Sequence, residues 1–240
     1  MNLRRGRRAV ALALAASTLA MAGCLPRAVT DRGREVADLY TLFMIAAAGV
    51  FLLVVGLLSW TIVRYRGNPG RDVELPRQTH GNVRLEVIWW AIPTALVGVL
   101  IVLTVGVLSR VDAREEAPSV TVEVAGFQWG WQFTYADADV TVTGTAADPP
   151  TLRLPVDRTI AFVITSEDVV HSFNIPNFLI KRDAVPNMET RFDLVIEDEA
   201  TYGGQCGEFC GLLHARQLFE SDAIQPEAFD SWLAEQAAAP

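Results

Sequence analysis

Two thiols and an imidazole stand close together in the stretch Gln205-Cys206-Gly207-Glu208-Phe209-Cys210-Gly211-Leu212-Leu213-His214, at Cys-x3-Cys-x3-His spacing. A second imidazole, His171, lies upstream in Asp168-Val169-Val170-His171-Ser172-Phe173. Two sulfurs with two ring nitrogens form a soft donor set. It suits copper, zinc or iron–sulfur rather than magnesium or calcium. A plain disulfide between Cys206 and Cys210 is the alternative. It gives no role to His214, in a chain with only 3 histidines. The metal reading accounts for all four residues.

The elements that must carry this group begin with membrane segments. Of the 240 residues 51% are hydrophobic, too many for an ordinary soluble domain. Leu39 to Val63 and Val87 to Ser109 are runs of 25 and 23 residues without a charge. At ~1.5 Å per residue each crosses a ~30 Å hydrocarbon core. Tyr40, Trp60, Trp89 and Trp90 sit near their ends, where aromatic rings favour the water–lipid boundary. Pro93 falls in the first turns of the second helix. The spacing therefore predicts a hairpin over residues 35–110, with helices 39–63 and 87–109 and a loop 64–86. That loop holds Arg64, Arg66, Arg71, Arg77 and Arg84, which places it in the cytoplasm and the C-terminal domain outside.

Ahead of the hairpin, Arg4, Arg5, Arg7 and Arg8 precede a short apolar run from Ala9 to Ala22. Residues 1–23 read as a signal peptide. Ala22-Gly23-Cys24 resembles the end of a bacterial lipobox, making a lipidated Cys24 the first mature residue; a plain signal-peptidase cut and an uncleaved helix are the alternatives. Residues 110–240 carry 22 acids against 8 bases, whereas residues 1–109 carry 6 against 12. An acidic outer domain on a basic anchor argues against nucleic acid and for a cationic partner or simple solubility.

After Pro118 the pattern turns to short alternating runs. Ser119–Ala125, Phe127–Tyr135, Thr151–Pro155, Thr159–Thr165 and Arg191–Ile196 show period-two apolar spacing between turn residues. Residues 118–222 are expected to form a β-sandwich or barrel. Gln225-Pro226-Glu227-Ala228-Phe229-Asp230-Ser231-Trp232-Leu233 predicts a terminal helix over 225–238.

The cysteine loop resembles that of cytochrome c oxidase subunit II, whose pattern is Cys-x-Glu-x-Cys-x3-His-x2-Met; this chain has Gln217 in place of the methionine. Three further segments resemble the family. They are His80-Gly81-Asn82-Val83-Arg84-Leu85-Glu86-Val87-Ile88-Trp89, Gly126-Phe127-Gln128-Trp129-Gly130-Trp131-Gln132-Phe133, and Phe178 to Pro186. Together they cover about residues 35–235 in the family's order. Asn187 replaces the family's usual glycine, so a left-handed backbone is expected there.

The resemblance implies a two-helix membrane hairpin followed by an all-β cupredoxin-like Greek-key sandwich. It implies a binuclear copper (CuA) centre bridged by Cys206 and Cys210, capped by His171 and His214, with the Glu208 carbonyl as a weak ligand. Gln217 would be an axial oxygen ligand, or would point to solvent. The Glu208 side chain would help bind magnesium shared with subunit I, or remain a solvated carboxylate. Trp129 would be where electrons enter, or would share one core-facing strand side with Trp131. Glu86 would lie at the mouth of a proton pathway, or serve the helix N-terminus. Asp168 would orient His171, lie under a docked cytochrome, or be a plain surface aspartate. The resemblance further implies a plasma-membrane oxidase with subunits I and III, fed by cytochrome c or a cytochrome c domain of a bc complex. Oxygen reduction at haem in subunit I would be coupled to proton pumping. A CuA-type nitric oxide reductase subunit or a copper-free quinol-oxidase-like subunit remains the alternative.

Overall fold

The computed structural model describes residues 25–66, 78 and 80–238. The leader 1–23, Cys24 and most of the loop 64–86 lie outside the described residues. The chain divides into two units. One is Asp38–Arg110, and the other joins the residues up to Ala37 to those from Val111 on.

The first unit holds helix α1 (Asp31–Arg64) from Asp38 on and helix α2 (Val83–Val111) up to Arg110, both long and apolar enough to cross a membrane. Both start earlier than their apolar runs, because polar caps recruit the preceding residues. Thr30 Oγ1 accepts the Gly33 N–H at 3.0 Å and starts α1 at Asp31. Asn82 Oδ1 accepts the N–H groups of Arg84 and Leu85 at 3.1 and 3.3 Å. Glu86 Oε1 reaches back to the Asn82 N–H at 3.3 Å. The helix-terminus role weighed for Glu86 is thus observed. Starting at Val83 also moves Pro93 out of the first turns into the body of α2. Phe43, Ala46, Ala47 and Val50 of α1 face Leu96 and Leu100 of α2 across an apolar furrow. No residue of either membrane-crossing stretch is buried, so lipid or partner helices must cover these faces.

The second unit is a sandwich of ten strands: β1 (Val120–Phe127), β2 (Gly130–Tyr135), β3 (Val140–Thr145), β4 (Thr151–Pro155), β5 (Thr159–Ser166), β6 (His171–Ile175), β7 (Ile180–Ala184), β8 (Thr190–Val195), β9 (Ala200–Cys206) and β10 (Leu218–Ile224). One sheet runs β3-β2-β1-β5-β8 and the other β4-β10-β9-β6-β7. The β1–β5 and β4–β10 pairs are parallel, and the rest are antiparallel. This is a cupredoxin-like arrangement. Alternate residues of the facing strands fill the space between the sheets, as in β5, where Ile160, Phe162 and Ile164 are fully buried. The centre is aromatic. Phe162 stacks on Phe192 at 4.8 Å and Phe173 on Phe219 at 5.1 Å, with Trp131 and Phe133 set edge-on to the last two.

Two expectations need correction. The run Phe127–Tyr135 is not one strand: β1 ends at Phe127, Gln128 and Trp129 form a two-residue turn, and β2 starts at Gly130. Glycine is required at 130, since a Cβ would lie 2.2 Å from the Gly144 carbonyl oxygen and 2.6 Å from the Phe127 ring. The sandwich also continues past 222, because β10 runs to Ile224. Helix α3 (Pro226–Ala237) follows with Pro226 in its first turn, and its Phe229 and Trp232 pack on Tyr135. Asn187 adopts the expected left-handed backbone at φ 59°.

The segment before α1 belongs to this unit. Val29 and Thr30 are buried against it. Val29 N–H donates to Asn177 O at 3.2 Å, Glu197 N–H to Val29 O at 2.9 Å, and Val195 N–H to Asp31 Oδ1 at 2.8 Å.

Candidate metal centre

The site is built at one end of the sandwich. Strand β9 delivers Cys206 at its last residue, β6 opens with His171, and the loop between β9 and β10 supplies the rest. That loop is anchored at both ends. Cys206 N–H donates to Gln217 O at 3.0 Å, and Gly207 N–H to Ser172 O at 2.9 Å.

Both cysteines are buried and free. Their sulfurs lie 3.9 Å apart, well beyond the ~2.05 Å of a disulfide bond, so the disulfide alternative is not what the chain adopts. His171 Nδ1 lies 3.8 Å from Cys206 Sγ, and the ligand atoms of His171, Cys206 and Cys210 all fall within 4.8 Å of one another. The Glu208 carbonyl oxygen is 3.2 Å from Cys206 Sγ, so the peptide oxygen turns towards the sulfurs. Gln217 is fully buried, which excludes the solvent-facing alternative. Its Oε1 is 2.9 Å from Cys210 Sγ and 3.0 Å from His171 Nδ1. His214 takes the rim: half-buried, with Nδ1 3.6 Å from Cys210 Sγ and its ring edge-on to Phe209 at 5.7 Å. Two sulfurs, two ring nitrogens, an amide oxygen and a peptide oxygen thus converge. This donor set fits a soft metal.

Asp168 is not a plain surface carboxylate. Its Oδ1 is 2.8 Å from His171 Nε2, and its Oδ2 accepts the Gln128 N–H at 2.7 Å. A carboxylate on the outer nitrogen fixes the ring and leaves Nδ1 facing the sulfurs, the usual support of a metal-binding histidine. Sequence reasoning missed the ring's other neighbour. A Cβ on Gly126 would lie 3.1 Å from three His171 atoms, so the glycine makes room for the imidazole.

The electrostatics separate the thiols. Burial pushes the Cys206 thiol up, but hydrogen bonds from His171 and the nearby peptide groups outweigh it and bring it down to about 6. Burial and the Cys206 charge together push Cys210 up to about 12. For His171, burial opposes protonation, yet Cys206 and Asp168 raise its pKa above the ordinary imidazole value. Asp168 is held low because hydrogen bonds from His171, Val169 and Gln128 outweigh its burial. Cys206 is thus the more acidic of the two thiols, and its sulfur faces His171.

The two tryptophans do not share a strand face. Trp131 is fully buried, with its ring 6.1 Å from that of His171. Trp129 is half-buried at the β1–β2 turn and lies against the metal loop. A Cβ on Gly211, whose φ is +122°, would be 3.2 Å from Trp129 Cζ2 and 3.1 Å from Gln128 Nε2. Gln128 Nε2 donates to the Cys210 carbonyl at 2.7 Å, a link that sequence reasoning also missed. The Glu208 carboxylate is ion-paired with Lys181.

These features define a membrane-anchored cupredoxin-like protein with a thiolate–imidazole centre at one end of its sandwich. The family model described as cytochrome C oxidase subunit II, periplasmic domain, matches residues 120–219, and that described as its transmembrane domain matches residues 17–109. A probable cytochrome c oxidase subunit 2 of Nocardia farcinica is 31% identical across 98% of this chain and 82% of its own length. Another, from Streptomyces avermitilis, is 31% identical across 87% of this chain and 77% of its own. The crystal structure of the periplasmic domain of subunit II of cytochrome oxidase (CoxB) of Bradyrhizobium japonicum is 25% identical, covering 50% of this chain and 94% of that one, with a TM-score of 0.47. The chain belongs to the cytochrome c oxidase subunit II family.

Proposed function

We propose that this chain accepts electrons from cytochrome c and passes them to haem in subunit I of a cytochrome c oxidase, through a binuclear copper centre held by Cys206, Cys210, His171 and His214. The observation that carries this reading is the convergence of both sulfurs, His171 Nδ1, the Glu208 carbonyl and Gln217 Oε1 in one buried site. When bound, the copper pair supplies a one-electron store whose geometry changes little with oxidation state.

The protein's part is to position the donors and keep water out. Asp168 holds His171 with Nδ1 inward. Gln217 Oε1 faces the same point and would offer the metal an oxygen where the family usually has a thioether sulfur. A harder ligand favours the oxidised state, so the potential should lie below that of a Gln217→Met variant. Trp129 at the turn is the surface group through which electrons arrive. Gln128, its chain neighbour, links the turn to Cys210 by a single hydrogen bond.

The finer assignments extend this reading. The arginine-rich loop puts the outer domain on the side of a plasma membrane away from the cytoplasm, and the lipobox-like Ala22-Gly23-Cys24 makes Cys24 the lipid-bearing residue. Subunits I and III cover the helices. Glu86 serves a proton pathway, and the Glu208 carboxylate takes part in a magnesium site with subunit I. The direct test is to load the full chain in detergent with copper, count the metal and record its EPR spectrum. Two coppers sharing one unpaired electron are expected. One copper with a mononuclear signal, or none, overturns the proposal.

A further inference from the structure

The buried side chain of Gln217 faces two ways. Its oxygen is turned to His171 Nδ1 and Cys210 Sγ, and its nitrogen to the backbone oxygens of Phe127 at 3.2 Å and Gly130 at 2.9 Å. The amide orientation follows from these partners. Reversed, it would set an oxygen against two carbonyl oxygens, which an acceptor cannot satisfy. Phe127 and Gly130 are the last residue of β1 and the first of β2, the two ends of the turn that carries Gln128 and Trp129.

We infer that Gln217 is a positioning residue that clamps both ends of the Gln128-Trp129 turn onto the metal loop and so couples the order of that turn to the occupancy of the metal site. The inference rests on the copper reading above and adds a role that a thioether, with no hydrogen-bond donor, cannot fill. The turn has two other ties to the same cluster, Gln128 Nε2 to the Cys210 carbonyl and Gln128 N–H to Asp168. Gln217 hydrogen-bonds to both of its ends and also faces the metal ligands. A ligand atom fixed by a metal fixes the amide, and the amide fixes the turn. The coupling is reciprocal, so an ordered turn also favours metal binding.

The test compares the full chain in detergent with its Gln217→Met and Gln217→Leu variants, following amide hydrogen exchange over residues 126–131 with and without copper. Loss of two ordinary hydrogen bonds should speed local exchange about tenfold in both metal-free variants, while β5 and β8 exchange as before. Copper should slow exchange at the turn more in the wild type than in Gln217→Leu, where only the two Gln128 ties remain; equal slowing in both would overturn the coupling. Gln217→Met should still bind copper, with a changed EPR hyperfine pattern because sulfur replaces oxygen. Unchanged exchange at the turn in both variants would overturn the inference and leave Gln217 a ligand only. Should exchange rise across β5 and β8 as well, the variants are globally destabilised. The wild-type Gln217 side-chain amide protons then decide by NMR: slow exchange supports the clamp, and exchange at the rate of a free glutamine overturns it. A wild type that takes up no copper defeats the proposed function and, with it, the coupling; the metal-free exchange then bears only on the clamp.

Discussion

Replacing Gly33 by alanine in the first turn of α1 should destabilise the sandwich. By helix propensity alone the change ought to stabilise by up to ~1 kcal/mol. The surroundings reverse the sign. A Cβ at 33 would lie 2.5 Å from the Phe178 carbonyl oxygen and 2.7 Å from Thr30 Oγ1, and both are close-packed groups of the sandwich unit. The helix start must back away by several tenths of an ångström. Thr30 Oγ1 then loses the Phe178 carbonyl, already at 3.3 Å, and Val29 N–H loses Asn177 O at 3.2 Å. Two hydrogen bonds at about 1 kcal/mol each, with part of the ~1.5–3 kcal/mol from burying Val29, exceed the propensity gain. The net loss is about 1.5–3 kcal/mol, a fall in Tm of about 5–10 °C for a domain of this size. Thermal unfolding followed by near-UV circular dichroism measures it. Gly203→Ala is the control, because nothing lies within 4 Å of a Cβ there. A Tm for Gly33→Ala equal to or above wild type would refute the reasoning and show that the segment before α1 does not brace the sandwich.

Asp168→Ala should free the His171 ring and weaken copper binding by about 10–100-fold, read by competition with a chelator, with no loss of the fold. Tyr135 is buried, its hydroxyl donating to Arg153 O at 2.8 Å and accepting Arg153 N–H at 2.9 Å. Tyr135→Phe therefore leaves a backbone donor and acceptor unpaired and should cost about 1–3 kcal/mol in denaturant unfolding. The exposed Arg158–Asp230 pair, at 2.7 and 2.8 Å, lowers the Asp230 pKa through the guanidinium hydrogen bonds. Its contribution, under about 1 kcal/mol, is present above the unfolded carboxyl value of about 3.9 and disappears as pH falls through the lower folded value. The Tm gap between wild type and Asp230→Asn should thus be small at pH 7 and close as the pH falls through the lowered folded value. A gap that widens on acidification would contradict this.

The two thiols and two imidazoles that the fold brings together were legible because metal-binding chemistry constrains both residue type and spacing. The membrane helices were legible because long uncharged runs have few other uses. Strands β1, β4, β5 and β8 matched the alternating pattern, whereas β3, β6, β7, β9 and β10 did not stand out. Strand β7 reads Ile-Lys-Arg-Asp-Ala at a sheet edge, where charge suits the exposed side. Strand β9 holds Gly203 and Gly204, and a Cβ on Gly204 would fall 2.2 Å from the Phe219 ring, so an aromatic on the neighbouring strand fills its space. The turn at Gln128-Trp129 was hidden because aromatic alternation runs straight through it. The roles of Gln128, Gly126 and the Gln217 nitrogen depend on contacts 40 to 90 residues away, which no local pattern contains.

The ion pair between Lys181 and Glu208 sets how readily that carboxylate can change allegiance. Both side chains are about two-fifths exposed, at 41% and 44%, so the pair is worth about 0–1 kcal/mol. Exchanging the ammonium for a divalent cation would then lower the cation's apparent affinity by no more than about fivefold. The lysine is a weak counter-charge that holds the acid in place. The same lysine lies 3.5 Å from Asp183, so it would retain a carboxylate neighbour after letting go.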